Sequence, residues 1–297
     1  MKSILFLFTF FSTLFAIAQN KEIDSLKNVL NESKNDIDKV NIYNLISDNY
    51  KTSNPKMMVD YANKALQLSK KINHKIAEGN AYLNIGNANI ILGNYSKALE
   101  NFSQAQIIFE SQNNTIETKK GLAKAYGSIG IVFSEQSNYA NALKFYLKSV
   151  KIYDDLNDDA KSAKLYNNIG IVYKSQKEDF KALEYFVKAQ KIQEKLKDAN
   201  IGITLTNIAN CYLNQKNFDK ALEYYNQAKS SLDLHPNPRA LGEWYNNFGL
   251  FYKASNKSSK AIENWNLAIK TFQSIDDKFG IADTYIYLGQ LNFEKGN

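Results

Sequence analysis

The feature that most constrains this chain is a small residue that returns about every forty positions. Gly86, Gly130, Gly170, Ala209, Gly249 and Gly289 are separated by 44, 40, 39, 40 and 40 residues. Twelve residues beyond each of the first five stands an alanine: Ala98, Ala142, Ala182, Ala221 and Ala261. Four further on comes an aromatic ring (Phe102, Tyr146, Phe186, Tyr225, Trp265), and three beyond that another small residue (Ala105, Ser149, Ala189, Ala228, Ala268). Its most visible trace is a word spelled twice, "YNNIG" over Tyr166–Gly170 and "YNNFG" over Tyr245–Gly249. Self-similarity at such a period means that each copy is one supersecondary unit, unable to bury its apolar face alone and stabilised by stacking on its neighbours.

The internal spacing of a copy says what the unit is. In "NIGIVYKSQ" and again in "FKALEYFVKAQKI" apolar residues recur at intervals of three and four, the period of a helix with one buried face. Between two such stretches lies a short polar break, at Gly93-Asn94, Ser137-Asn138, Glu178-Asp179, Lys216-Asn217 and Lys257-Ser258. Two helices packed antiparallel across a short turn follow. The recurring small residues let helix axes approach to about 8 Å, and the aromatic is expected to fill the space between neighbouring hairpins. With 3 Pro and 13 Gly in 297 residues, the composition also favours an all-α fold.

The first eighteen residues differ from the rest. Lys2 precedes a largely apolar run over Ile4–Phe15, and Ala16-Ile17-Ala18 supplies small residues at cleavage spacing before Gln19. This is the layout of a secretory signal peptide, and the run is too short to span a bilayer. It predicts export and a mature chain beginning at Gln19. Cys211 is the single cysteine, so no intrachain disulfide can form, and it reads as a small core residue. The net charge is +7, yet Arg239 is the only arginine among 37 basic residues, and the lysines interleave with acids. Lysine lacks the planar fork that reads bases or grips phosphate, so nucleic acid is not the expected partner.

From about Asn41 onward these repeats resemble the tetratricopeptide repeat family. A degenerate first copy, "YNLISDNYKTSNPKMMVDYANKAL", has Met58 where alanine is expected and Ala62 in place of the aromatic. The period near 40 is similar to that of the long-helix subgroup, which includes kinesin light chains and bacterial cytoplasmic peptide-pheromone receptors. The resemblance implies a right-handed superhelical solenoid of antiparallel helix pairs. Residues 1–18 are then a signal peptide and 19–38 an N-terminal capping helix, with Ile23, Leu26, Val29 and Leu30 on one face. The array occupies 39–297, divided at about 39–78, 79–122, 123–162, 163–201, 202–241, 242–281 and a partial repeat 282–297.

Catalytic and metal-binding constellations are not found. His74 and His235 lie in inter-repeat linkers with no second ligand nearby. Asp155, Asn157 and Asp159 have calcium-loop spacing, but Ala160 replaces the sharp-turn glycine and Tyr166 the bidentate glutamate. The run reads instead as helix punctuation, in which Asp158 or Asp159, like Asp198 and like Asp276 or Asp277, caps the first helix of a repeat. The glycines of "GNANIILG" lack the lysine of a phosphate cradle. No enzyme activity, cofactor or metal is expected.

Two residues before each small position the chain places Asn84, Ser128, Asn168, Asn207 and Asn247, with Asn87 and Asn210 one turn onward. Asparagine is a poor helix former, so its recurrence mid-helix costs stability each time. In relatives of this kind the first helix lines a concave inner face, where such asparagines hold the backbone of a bound peptide. An amide offers donor and acceptor together and suits that task; the competing role is bracing one helix against the next. Lys124, Lys164, Lys174 and Lys253 fall near the same face, with Glu243 and Asp283 toward the C-terminal end, which favours an acidic partner. Lys97, Lys181, Lys220 and Lys260 are expected to point into solvent. In the seventh copy Ile286, Leu288 and Leu291 precede no second helix, so further chain, a membrane segment beyond it, or an oligomer is expected at that end.

The expected function is protein or extended-peptide binding. The architecture resembles exported sensor regions of histidine kinases and helix-turn-helix regulators in Bacteroidetes-like bacteria. The alternative is a free-standing periplasmic or secreted scaffold for envelope complexes.

Overall fold

A computed structural model describes residues 21–294, and these are helical with short turns. The signal-peptide reading of residues 1–18 therefore concerns residues outside the described ones. The chain divides into two compact units, Met1–Leu156 and Asn157–Asn297. In the first, a helix over 21–32 (α1) is followed by α2 (Asp36–Asn49), a 3-10 turn (Tyr50–Thr52), α3 (Pro55–Lys71), α4 (Lys75–Ile91), α5 (Tyr95–Ser111), α6 (Ile116–Glu135) and α7 (Tyr139–Asp155). The second holds α8 (Asp159–Ser175), α9 (Asp179–Leu196), α10 (Ile201–Asn214), α11 (Phe218–Leu234), α12 (Pro238–Ala254), α13 (Ser258–Gln273) and α14 (Lys278–Glu294).

Each repeat pairs an even-numbered helix with the odd-numbered one that follows. Within the first unit α2, α4 and α6 also touch in succession, as do α8, α10, α12 and α14 within the second. The even-numbered helices therefore form a continuous row in each unit, and the residues on that row are neighbours across repeats.

The small residues are notches for rings. A Cβ added at Gly130 would fall 2.6 Å from Cδ1 of Tyr146, and one at Gly170 would fall 2.6 Å from Cε1 of Phe186. Phe102, Tyr146, Phe186 and Trp265 thus each seat on the glycine of their own hairpin, a role beyond letting helix axes approach. The ring at this position also reaches forward, since Tyr225 lies 5.3 Å from Phe248 and 5.7 Å from Phe251 of the next repeat. The degenerate first repeat inverts the arrangement. Ile46 stands at the glycine position and Ala62 at the ring position, and both are fully buried. Large and small have exchanged places, which leaves the combined volume nearly unchanged.

From α4–α5 to α12–α13, the turn inside the hairpin is closed by a residue with left-handed backbone: Gly93 (φ 74°), Ser137 (57°), Lys177 (61°), Lys216 (59°) and Asn256 (59°). The next amide reaches back to close the helix end, as in Glu178 N–H to Tyr173 O at 2.9 Å and Asn217 N–H to Tyr212 O at 2.9 Å. Helix starts are capped by side chains. Asp158 accepts from Lys161 N–H and Asp277 from Gly280 N–H, whereas Asp198 turns to Asn200 N–H ahead of α10. Asp159 instead pairs with Lys195 at 2.8 Å. His74, read as a linker residue, caps α4 by accepting from Ala77 N–H at 3.2 Å.

Candidate functional site

The amide positions lie on the even-numbered helices, and the structure uses them in two ways. In the first unit, Asn84 is buried and donates to the backbone O (3.0 Å) and Oδ1 (3.3 Å) of Asn44, forty residues earlier. Asn44 itself donates to Ala77 O at 3.1 Å. This pair clamps α2 to α4. Ser128 donates to Asn87 Oδ1 at 3.4 Å between α4 and α6, and both remain partly exposed. Lys124 is exposed on α6 beside them in the repeat pattern.

In the second unit the twice-spelled word resolves into two roles. Its first asparagine braces the following repeat: Asn167 Oδ1 accepts from the Thr204 hydroxyl at 3.3 Å, and Asn246 Oδ1 from the Thr284 hydroxyl at 2.9 Å. Both threonines stand five residues before their repeat's small position, so the pairing is itself periodic. Sequence reasoning had singled out only the second asparagine. The signal was present in the recurrence of threonine 37 and 38 residues after the first asparagine of each word, but only helix contact reveals what it means.

The second asparagine of the word is left nearer the surface. Asn168 is half-buried, and its side chain makes no hydrogen bond among the described residues. Asn247 donates to Glu243 O of its own helix at 2.7 Å, which leaves its Oδ1 available. Asn207 lies between these two roles. Its Nδ2 donates to Asn167 Oδ1 at 3.3 Å, and its Oδ1 accepts from Lys174 Nζ at 3.3 Å. Asn210 points into the fold, where its Oδ1 accepts from the buried Tyr225 hydroxyl.

The cations on this row also divide. Burial pulls the Lys174 ammonium below the usual lysine range, against the opposing pull of Cys211, Asp179 and Glu243. Lys164 is exposed one helical turn before Asn168. Lys253 is ion-paired with Glu294 at 2.8 Å, and Glu243 contacts Arg239 at 3.4 Å. On the odd-numbered helices, Lys181, Lys220 and Lys260 are exposed as expected, yet each lies over a ring of the preceding helix, Tyr173, Tyr212 or Tyr252, at 5.6, 5.1 and 5.4 Å. The second unit thus offers α8, α10 and α12 as a row bearing Lys164, Asn168, Lys174, Asn207 and Asn247. This is hydrogen-bonding and cationic chemistry, with no nucleophile–base pair among them. Among the described residues, no group of three or more metal-ligating side chains converges, and no helix is long and apolar enough to cross a membrane.

Comparison with known proteins agrees with this architecture. Family profiles described as tetratricopeptide repeat match residues 79–106 and 123–156, and a further one matches 161–232. Among solved structures, the apo form of RapI superimposes with a TM-score of 0.73 at 19% identity, over 87% of this chain and 92% of that one. A Rap protein complexed with Competence and Sporulation Factor gives 0.70 at 16% identity, over 91% and 79%. A signal transduction ATPase from Pyrococcus horikoshii, described as having a tetratricopeptide repeat sensor, gives 0.62 at 22% identity, over 88% of this chain and 42% of that one. No curated protein matches the chain in sequence.

Proposed function

We propose that this chain, which belongs to the tetratricopeptide repeat family, is a binding module that holds an extended, acidic peptide segment along α8, α10 and α12. The observation that carries the reading is Asn168. A mid-helix asparagine costs stability relative to alanine, and the fold returns nothing to its amide, whereas Asn84, Asn167, Asn210 and Asn246 all brace neighbouring elements. An unengaged donor–acceptor pair on a helix row matches the N–H and C=O of an extended backbone. Lys164 exposed and Lys174 desolvated beside Asn207 supply positive charge along the same row.

Signalling is the context we favour. Support comes from two structural neighbours, one described as a complex with a factor and one as containing a repeat sensor, and from the resemblance to exported sensor regions. Export itself rests on Lys2, the Ile4–Phe15 run and Ala16–Ala18; intact-mass analysis of extracytoplasmic material should find Gln19 at the N-terminus, and retained Met1 would refute it.

Panning a displayed library of extended peptides against the chain tests the binding role. Selected peptides should be rich in Asp and Glu, and Asn168→Ala should weaken them by about 1–3 kcal/mol, the cost of an unpaired backbone group in a desolvated site. Peptides that bind the Asn168→Ala and Lys164→Glu chains as tightly as the parent would end the proposal.

A further inference from the structure

In four repeats the glycine notch is occupied by a ring from the following helix; on α14 it is open. A Cβ added at Gly289 meets nothing within 4 Å, whereas those at Gly86, Gly130, Gly170 and Gly249 run into Phe102, Tyr146, Phe186 and Trp265. Around this notch the exposed side of α14 is apolar: Phe279 is 84% exposed, Tyr285 57%, Ile286 55% and Phe293 84%. Ala282 is exposed too. The opposite side is spent on α13, with Leu291 buried against Ala261 and Trp265. An apolar stripe of this continuity marks an interaction surface.

We propose that the occupant is a second copy of this chain, docked through an antiparallel α14·α14 pair. The spacing carries the argument. Within a hairpin, two notches seven residues apart receive two rings seven residues apart on an antiparallel helix: Gly242 and Gly249 against Phe272 and Trp265, or Gly79 and Gly86 against Phe109 and Phe102. Alone among the even-numbered helices, α14 carries both halves of that code as small and apolar residues on one exposed stripe. Its notches are Ala282 and Gly289, seven apart, and its knobs are Ile286 and Phe293, also seven apart. The intervals from 282 to 286, 289 and 293 are four, three and four, which read the same in both directions.

A two-fold axis between residues 287 and 288 therefore sets Ala282 against the second copy's Phe293 and Ile286 against its Gly289, and each contact occurs twice. This is the self-complementarity that an isologous interface requires. It also restores the antiparallel sense and the small-against-large pairing of the hairpins at Gly86, Gly130, Gly170 and Gly249, with glycine at the close approach. The flanking positions are compatible, since Asp283 comes opposite Asn292 and Tyr285 opposite Gln290. No like charges meet.

Sedimentation velocity on the chain over a dilution series should show a monomer–dimer equilibrium. Gly289→Glu, which has open space in the monomer, should raise the dimer dissociation constant by at least about tenfold, a loss of about 1.4 kcal/mol or more, with the helical circular dichroism unchanged. Ile286→Lys is the second disruptive variant should the first misfold. Register is read by cross-linking, because Cys211 is the only native cysteine and is buried. An equal mixture of Ile286→Cys and Gly289→Cys chains should oxidise chiefly to the mixed dimer. A chain monomeric at every concentration, with or without a captured foreign helix, would overturn the proposal. So would a dimer indifferent to both substitutions, or one in which Ile286→Cys cross-links best to itself.

Discussion

Replacing Gly249 by alanine should destabilise the second unit, although alanine is the better helix former. The added Cβ would lie 2.6 Å from Cδ1 and 2.8 Å from Cε2 of Trp265, an indole with no exposed surface. That ring cannot swing aside cheaply, because it stacks on Tyr287 at 5.9 Å and donates from Nε1 to Asn246 O at 3.2 Å. Overpacking of this kind costs about 1–3 kcal/mol, and a lost indole hydrogen bond costs about 1 kcal/mol more. The helix-propensity gain of alanine over glycine returns about 1 kcal/mol. The net expectation is a loss of about 1–3 kcal/mol. The same exchange at the equivalent Gly289 meets no atom within 4 Å and should stabilise the monomer by about 1 kcal/mol. Gly202→Ala, 3.0 Å from Leu232 Cγ, should fall between them because a leucine can yield. Both tryptophans, Trp244 and Trp265, lie in this unit, so urea unfolding followed by tryptophan fluorescence at monomeric concentrations reads the effect. Equal effects at Gly249 and Gly289, or no loss at Gly249, would refute the view that these glycines exist to seat rings.

Ala182→Leu should cost about 1–3 kcal/mol because Ala182 is fully buried, while Lys181→Leu next to it should change stability far less; thermal melts compare them. Asn84→Ala removes two bonds to Asn44 and should lower the melting temperature, whereas Asn168→Ala should leave it unchanged or raised. Burial pushes the Cys211 thiol up to about 12, so a thiol-specific disulfide reagent should leave it unmodified in the native chain and label it on unfolding. Its folded pKa lies above the unfolded 9.0, so its contribution to stability is complete below pH 9 and shrinks as pH climbs toward 12, which alkaline urea titrations of Cys211→Ala against the parent should show. Lys174→Met relieves a desolvated ammonium, and should be neutral or stabilising in melts while weakening acidic peptides selected on the parent chain.

Much of the architecture was legible in the sequence, because a repeat states its own rule several times. The ladder from Gly86 to Gly289 and the alanines from Ala98 to Ala261 required helical hairpins of one kind, and the period alone told which residues share an environment. Helical periodicity also separates the buried Ala182 from the exposed Lys181. What periodicity could not assign is the partner of a residue. It put Asn167 and Asn168 side by side, yet one amide braces Thr204 in the next repeat and the other makes no hydrogen bond among the described residues, because adjacent residues on a helix point about 100° apart. The glycines were read as places where axes approach; in the structure they lie under aromatic rings, a fact carried by the side-chain direction on the facing helix. The left-handed turns at Ser137, Lys177 and Lys216 were equally hidden, since serine and lysine do not announce such a conformation by residue type as Gly93 and Asn256 do. Sequence by itself determined the unit and its repetition, which are local properties of spacing and polarity. Tertiary structure decided which polar groups the fold consumes and which it leaves for a partner, because satisfaction of a hydrogen bond depends on atoms forty residues away.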